Sequence, residues 1–413
     1  MSSLRATLQI HGTEGRHGWG VARHENLTVF LPGSLTGDTV ECSFEPSGKK
    51  RWTIGKTLST LEQSPHRRIA PCAHHPEHSA DPDTHGCGGC PLMALTPEMA
   101  LTEKRGYALR ALSQQKIQTD LELVPHKGSD LQYRWRLRPR WSHGALGFNS
   151  RASDRIHPVD QCEISTFPGI FSLLRPLERF KGEGELRLTM NQAGEVAIQI
   201  TGSPLGGFTP SLPLRLDSSL TLVSVMIQRK VHGEPFINLG TPDSPQWIAP
   251  HSFAQGGPRA NALIQETLKD LLGQADCDGP ILECYAGSGN LSAIARNFGP
   301  VTACEEEKSV REAFRKNLGT DVKLITTPVE NLKISQTPAC MILDPPRSGI
   351  SALAMKRLIA AMAPRVILFS CDPMAGARDL GHFLSAGYQL VRIKLLDTMP
   401  NTPHFELVSL LVK

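Results

Sequence analysis

Three short segments in the last third of this 413-residue chain carry residue types that could act on a bound substrate. Asp344-Pro345-Pro346-Arg347 follows the apolar run Cys340-Met341-Ile342-Leu343, and Ser370-Cys371-Asp372-Pro373 follows Val366-Ile367-Leu368-Phe369. Thr402-Pro403-His404-Phe405-Glu406 precedes the last strand-like stretch. If the apolar runs are parallel strands, Asp344 and Cys371 emerge at the carboxyl edge of a sheet, where α/β folds bind ligands. A cysteine there can serve as a nucleophile, dividing one difficult step into easier ones. Carbon 5 of a pyrimidine needs such help, because thiolate addition to carbon 6 makes it enolate-like. An ordinary thiol ionises near a pKa of about 8.5, so Cys371 needs local help or must lose its proton as it attacks. The proton left on carbon 5 must then be removed, and the residues alone leave Glu406 and His404 both as candidate bases. The plainer reading of Cys371 is a small buried side chain without chemistry.

Further upstream, Ile281-Leu282-Glu283-Cys284-Tyr285-Ala286-Gly287-Ser288-Gly289-Asn290-Leu291-Ser292 reads as a strand, a glycine-rich turn and a helix start. Gly287 and Gly289 permit a tight turn and close backbone approach to a ligand. A dinucleotide fingerprint would want a third glycine where Ser292 stands, which disfavours a pyrophosphate. Glu305 ends the next strand, where a carboxylate can accept hydrogen bonds from ribose hydroxyls. A nucleoside cofactor without a pyrophosphate, such as S-adenosylmethionine, fits better than NAD. A solvated charge beside Glu306 and Glu307 is the plainer reading of Glu305.

These sites need elements to position them. From Trp247 onward short apolar strands alternate with helical patterns, which predicts a doubly wound parallel sheet, a Rossmann-like α/β domain over residues 246–413. Residues 1–62 contain short alternating strands broken by glycines and predict a small β-barrel. Residues 63–245 predict a mixed α+β unit: a segment rich in Pro, His, Gly and Cys over 63–92, a helix from Leu92 to Lys116, then strands. Hydrophobic residues are 40% and charged residues 20% of the chain, values of a soluble globular protein. The opening MSSLRATLQIHG lacks the apolar stretch of a secretory signal, so a cytoplasmic protein is expected; the expected state is a monomer. In a reducing compartment the ten cysteines are thiols, metal ligands or catalytic groups.

Cys87-Gly88-Gly89-Cys90 can turn two thiolates toward one centre, and Cys72 and Cys162 complete a set of four. Four cysteines suit zinc or an iron–sulfur cluster, and spacing does not choose between them. His74, His75, His78 and His85 lie in the stretch between Cys72 and Cys87 and offer a substitute for Cys72. The net charge of +4 does not by itself establish a polyanionic partner. Two local features point to one: Lys49, Lys50, Arg51 and Trp52 in the barrel, and Arg134, Arg136, Arg138 and Arg140 alternating with Tyr133, Trp135, Leu137, Pro139 and Trp141. As a strand, the second run would set four guanidinium groups on one face, a phosphate-contacting surface.

Taken in order, Asp344-Pro-Pro-Arg347, Ser370-Cys371-Asp372-Pro373 and Pro403-His404-Phe405-Glu406 resemble the 5-methyluridine RNA methyltransferase family. The resemblance implies a class I, S-adenosylmethionine-dependent methyltransferase domain with Cys371 as nucleophile and Glu406 as base, His404 supporting the loop. It extends to Phe253-Ala254-Gln255 and implies that Gln255 contacts S-adenosylmethionine; Tyr285 and Asn290 match further cofactor-binding positions, beside Glu305 and Asp344. The family usually has Asn where Asp372 stands and often Asn at Gly257. Gly18-Trp19-Gly20-Val21-Ala22 and Val29-Phe30-Leu31-Pro32-Gly33 resemble the TRAM domain, an RNA-binding barrel. Cys72, Cys87, Cys90 and Cys162 resemble the ligands of a [4Fe-4S] cluster in the ribosomal-RNA branch, although fourteen residues separate Cys72 from Cys87 where that branch usually has five. The expected activity is methyl transfer to carbon 5 of a uridine in RNA, 23S ribosomal RNA first, with the target base flipped out and met by Arg347. A tRNA uridine methyltransferase and a catalytically inactive RNA-binding assembly factor are the alternatives.

Overall fold

In Thr39–Phe44, Val40, Cys42 and Phe44 are buried while Thr39, Glu41 and Ser43 are half-buried, the period of two that a strand shows when one face meets a core. This strand is β5 of a curled six-stranded sheet with β1 (Leu4–Gln9), β2 (Gly12–Thr13), β3 (Gly20–His24), β4 (Leu27–Leu31) and β6 (Trp52–Glu62), in the order β1-β5-β6-β4-β3-β2. Its interior holds Leu8, Ile10, Ala22, Val29, Leu31, Val40, Cys42 and Phe44. The computed structural model describes residues 3–46, 50–78, 86–174, 182–203, 211–227, 230–274 and 277–413; Lys49 and His85 lie outside them.

Helix α1 (Pro97–Gln114) starts later than the apolar pattern suggests, because Thr96 caps it and accepts a hydrogen bond from the Met99 N–H while Pro97 takes the first turn. The curled sheet sits on this helix. Glu103 Oε2 accepts from the N–H and hydroxyl of Thr13 at 2.6 and 3.0 Å. A Cβ on Gly15 would lie 1.7 Å from the Tyr107 ring, so only glycine allows that approach.

A second sheet runs β11-β10-β9-β12-β13-β15-β14, with β16 on β15 and β8 on β12. Its strands are β8 (Arg136–Leu137), β9 (Arg140–Ser142), β10 (Ala145–Asn149), β11 (Ile156–Pro158), β12 (Glu183–Met190), β13 (Glu195–Ser203), β14 (Leu214–Arg215), β15 (Thr221–Ile227) and β16 (Lys230–Gly233), with the short helix α2 (Ile170–Leu173) between β11 and β12. The arginine alternation holds in burial but not as one continuous strand. Tyr133, Trp135, Leu137 and Pro139 are buried, but the strand breaks between β8 and β9, where Pro139 lacks an N–H. Arg136 donates to the carbonyls of Ser252 and Ala254, Arg138 pairs with Glu185 at 2.7 Å, and Arg140 reaches Asn149 Oδ1 at 3.2 Å. Internal acceptors, not an open phosphate-binding row, disperse these charges.

After a small ladder of β17 (Ile237–Asn238) and β18 (Trp247–Ile248), the chain forms an eight-stranded sheet ordered β21-β20-β19-β22-β23-β25-β24-β7. Its members are β19 (Ile281–Cys284), β20 (Val301–Glu305), β21 (Lys323–Thr326), β22 (Cys340–Leu343), β23 (Arg365–Ser370), β24 (Gln389–Leu396) and β25 (Glu406–Val412), and β7 (Glu122–Val124) adds an edge from the 63–245 stretch. β19 to β23 pair in parallel and β25 runs antiparallel between β23 and β24. Helices α3 (Pro258–Gln274), α4 (Ser292–Ala295), α5 (Arg311–Leu318), α6 (Ala352–Ala360) and α7 (Pro373–Ser385) complete the unit. Ala108, Ala111 and Leu112 of α1 share its core with Leu380 and Phe383 of α7. This is a Rossmann-like α/β architecture with an antiparallel strand near one edge. No described helix is long and apolar enough to cross a membrane.

Candidate active site

β19 and β22 are neighbours whose following loops diverge, which opens a crevice at their carboxyl ends. The turn after β19 holds three residues at positive φ: Tyr285 at 66°, Gly287 at 54° and Gly289 at 88°. Tyr285 lacks glycine's freedom there, and its N–H is held by the Cys304 carbonyl at 2.9 Å. A Cβ on Gly287 would meet nothing within 4 Å, so the turn faces open space. Glu305, at the end of β20, accepts from the N–H groups of Gly287 and Glu307, both at 2.8 Å. The carboxylate and the glycine turn therefore form one wall.

Asn290 lies in a ring of amides. Its Oδ1 accepts from Gln246 Nε2 at 2.5 Å and Gln265 Nε2 at 2.8 Å, and its Nδ2 donates to Asn261 Oδ1 at 2.8 Å. These bonds tie the turn to α3, which begins three residues after Gln255. The carbonyl of Gln255 accepts from Trp135 Nε1 at 2.8 Å, while its half-buried amide has no partner among the described residues. At Gly257 a side chain is excluded, since a Cβ would lie 1.9 Å from the Tyr133 carbonyl oxygen.

The nucleophile and base candidates meet across two antiparallel strands. Ser370 of β23 pairs with Leu407 of β25, so the next step of the register sets Cys371 opposite Glu406. Burial, then the carboxylates of Glu406 and Asp344, push the Cys371 thiol up to about 12, while the Arg347 guanidinium opposes them. Glu406 is only 7% exposed and its Oε2 is buried without a hydrogen-bond partner. Burial and then Asp344 raise its pKa well above the carboxylate range, with Arg347 again opposing. Burial raises Asp344 to about 7. His404 differs: burial, then Arg347, lowers it to about 4, which leaves it neutral and weakly basic. Asp372 caps α7, its Oδ1 accepting from Met374 and Ala375 N–H at 3.0 and 2.9 Å. An asparagine oxygen could do the same, so the local turn tolerates either residue.

Two buried groups carried no sequence signal of their own. Glu283 sits on β19 under the glycine turn, hydrogen-bonded to Ser292 Oγ through one oxygen and unpartnered at Oε1. Burial first, opposed by Ser292, raises its pKa to about 8. Lys104 is buried on α1, its Nζ 2.6 Å from Asp397 Oδ1. Glu283 belongs to an apolar run and Lys104 to a polar helix, so neither pattern marks it.

Cys72, Cys87, Cys90 and Cys162 line one cavity of about 230 Å³. Burial raises all four thiol pKa values, Cys87 to about 11 and Cys162 to about 12; neighbouring thiols add to the rise at Cys87, Cys90 and Cys162. No group of three described His, Cys, Asp or Glu residues is arranged to hold a single metal ion. His74 is engaged by Asp160 at 2.6 Å and by His157 at 3.2 Å, and His78 by the Ala70 carbonyl at 2.7 Å. His74 nevertheless lines the thiol cavity beside Cys72, and His78 is not among the residues of its wall. His75 lines the cavity, 9% exposed.

A larger cleft, of about 790 Å³, lies among the curled N-terminal sheet, the cysteine segment and the loop before Glu406. Arg16, Trp19, Arg67, Arg151 and His404 line it. His17 stacks on Trp19 with ring centres 4.5 Å apart.

The comparisons with known proteins agree with this architecture. A family model described as tRNA (Uracil-5-)-methyltransferase matches residues 330–413, the stretch carrying Asp344, Cys371 and Glu406. The 23S rRNA (uracil(1939)-C(5))-methyltransferases RlmD of Halomonas elongata and Vibrio campbellii are each 28% identical to it, over 99% and 96% of this chain and 90% and 94% of theirs. An uncharacterised RNA methyltransferase of Bdellovibrio bacteriovorus is 27% identical over 95% of this chain and 91% of its own. The structure of Pyrococcus abyssi tRNA (uracil-54, C5)-methyltransferase in complex with S-adenosyl-L-homocysteine superposes with a TM-score of 0.75, covering 99% of this chain and 100% of that one; at 20% identity it bears on the fold alone. Sheet order, crevice and relatives together make this chain similar, over nearly its whole length, to the RNA (uracil-5-)-methyltransferases.

Proposed function

We propose that the protein methylates carbon 5 of a uridine in 23S ribosomal RNA, with Cys371 as nucleophile and Glu406 as base. The observation that carries the reading is the pairing of β23 with β25, which sets the thiol opposite a buried carboxylate with a free oxygen. Similarity to the RlmD enzymes over nearly the whole chain supports ribosomal RNA rather than tRNA as substrate. Binding falls to the Gln255, Tyr285, Asn290, Glu305 and Asp344 side, where S-adenosylmethionine would supply a methyl group on a positively charged sulfur. The carboxylates around that crevice suit a cationic donor.

Cys371 gives its proton to solvent as its sulfur bonds to carbon 6 of a flipped-out uridine; the carbon 5–carbon 6 π pair moves into an enolate, and carbon 5 becomes nucleophilic. The raised thiol pKa makes deprotonation part of the attack, with Arg347 the cation that eases it. Once carbon 5 carries both methyl and proton, Glu406 removes the proton. The C–H electron pair re-forms the carbon 5–carbon 6 double bond and expels the Cys371 thiolate. A carboxylate with a raised pKa is the stronger base for this step, and His404, driven toward 4, is the poorer one.

The 230 Å³ cavity lined by four thiols exceeds what one ion needs and suits a [4Fe-4S] cluster held by Cys72, Cys87, Cys90 and Cys162, in preference to zinc. The barrel over residues 1–62 and the cleft with Arg16, Trp19 and Arg151 would guide the RNA of a monomeric enzyme. Methyl transfer from labelled S-adenosylmethionine to unmodified ribosomal RNA and to tRNA, for wild type and Cys371→Ala, tests the reading. A 5-methyluridine in ribosomal RNA that vanishes in the variant is expected; transfer to tRNA alone would reassign the substrate, and no transfer to either would favour an RNA-binding role.

A further inference from the structure

The loop from Asp397 to Phe405 delivers Glu406 to the head of β25, yet most of its polar anchors come from residues far upstream. Lys104 Nζ on α1 donates to Asp397 Oδ1 at 2.6 Å and to the Met399 carbonyl at 2.9 Å. Tyr133 Oη, in a fully buried ring, donates to the Pro400 carbonyl at 2.9 Å. The Leu92 N–H, two residues after Cys90, donates to the Asn401 carbonyl at 3.0 Å. Arg68 donates to Asn401 Oδ1 at 2.8 Å, and Asn401 Nδ2 donates to the Asp130 carbonyl at 2.8 Å. The Asp397 N–H itself donates to Val124 of β7 at 2.9 Å.

Lys104 has a fully buried side chain, and burial lowers its pKa while Asp397 opposes that shift. A buried ion pair is a poor source of net stability, because removing two charges from water offsets their attraction. What it supplies is geometry: a cation with three donors must be met by acceptors at fixed positions. Here those acceptors are the first and third residues of the loop that carries the base. Asn401 adds a second constraint, a non-glycine residue at φ 64° held by hydrogen bonds on its backbone carbonyl and both side-chain ends.

We infer that Lys104 and Tyr133 are positioning residues for Glu406, so that the part of the chain before residue 140 governs the second half of the reaction: removal of the carbon 5 proton and release of Cys371. The inference rests on Glu406 being the base. Neither side chain touches the substrate; each holds the loop that aims the carboxylate. Loosening the loop leaves the addition of Cys371 to carbon 6 and the methyl transfer in place, because Cys371 is carried by β23 and α7. Proton removal then slows, and enzyme stays bonded to methylated RNA.

The test is single-turnover reaction of full-length Lys104→Met, Tyr133→Phe, Glu406→Gln and wild-type protein with ribosomal RNA and methyl-labelled S-adenosylmethionine, resolved on denaturing gels. The expected result is an amount of labelled protein–RNA adduct at least tenfold above wild type for Glu406→Gln and Lys104→Met and a smaller excess for Tyr133→Phe, while the rate at which adduct forms stays within about threefold of wild type. Tyr133→Phe removes one hydroxyl from an intact ring and guards against a Lys104→Met protein that does not fold. Adduct in Glu406→Gln without excess in folded Lys104→Met or in Tyr133→Phe overturns the inference alone. No excess in Glu406→Gln overturns the assignment of the base.

Discussion

Glu305 accepts a hydrogen bond from the backbone N–H of Gly287 at 2.8 Å, joining the end of β20 to the turn that follows β19. The carboxylate orders the turn while its half-buried flank stays open to a ligand. Hydrogen bonds to a charged acceptor are each worth about 1.5–3 kcal/mol. Glu305→Ala is therefore expected to weaken S-adenosylmethionine binding by about 10–100-fold, read by titration calorimetry. Unchanged affinity would remove this carboxylate from the binding site.

Cys371 in the RNA-free protein should be a slow thiol. Burial and the Glu406 carboxylate lift it from 9.0 to about 12. At neutral pH its thiolate fraction, and its alkylation by iodoacetamide, should fall about 10³-fold below an ordinary thiol and rise steadily with pH. Glu406→Gln removes the carboxylate that raises the thiol pKa and should speed the reaction at the alkaline end of the profile, where Glu406 is ionised. Peptide mapping by mass spectrometry separates Cys371 from the other thiols; fast alkylation at pH 7 would contradict the electrostatics.

Glu283 makes stability depend on pH. Its folded pKa is raised from 4.5 to about 8, chiefly by burial, so the folded state binds the proton more tightly than the unfolded chain. The stabilisation is complete below pH 4.5 and declines as pH rises toward 8. Glu283→Gln should flatten the denaturant-unfolding profile across that window and gain relative to wild type at its alkaline end. A parallel decline in both proteins would mean that Glu283 is ionised in the fold.

Gly257→Asn introduces the residue common in the family and should nevertheless be harmful here. Its Cβ would lie 1.9 Å from the Tyr133 carbonyl oxygen, a backbone atom that cannot swing aside. Overpacking of this kind costs about 1–3 kcal/mol, and thermal unfolding should show the loss. Stability equal to wild type would mean that the Tyr133 segment shifts freely.

Arg16 and Arg151 line the 790 Å³ cleft, and neither side chain has a hydrogen-bond or ion-pair acceptor among the described residues. Replacing either with Ala should weaken RNA binding and reduce the slope of log affinity against log salt by about 1. Arg138→Ala, which breaks an exposed pair with Glu185, should leave that slope unchanged. Equal slopes for all three variants would place the RNA elsewhere.

The sequence by itself was enough for the order of strands and turns after Trp247. Parallel strands alternating with helices expose their carboxyl ends on one edge, which is why Gly287, Asp344 and Cys371 could be assigned to one crevice before any distance was known. The curled N-terminal sheet was legible for a similar local reason, alternation broken by glycines. The arginine run shows the limit: its alternation was read correctly, but Glu185 and the carbonyls of residues 252 and 254 lie 47 to 118 positions away along the chain.

Only the tertiary structure decided that Cys371 stands opposite Glu406, which depends on an antiparallel register between strands 35 residues apart. It alone showed that His404 is held neutral, that β7 and α1 complete the methyltransferase unit, and that Lys104 reaches Asp397 across 293 residues. The physical reason is common to these cases. Periodicity reports which face of an element is buried, whereas pKa, register and buried ion pairs depend on which distant element is packed against that face.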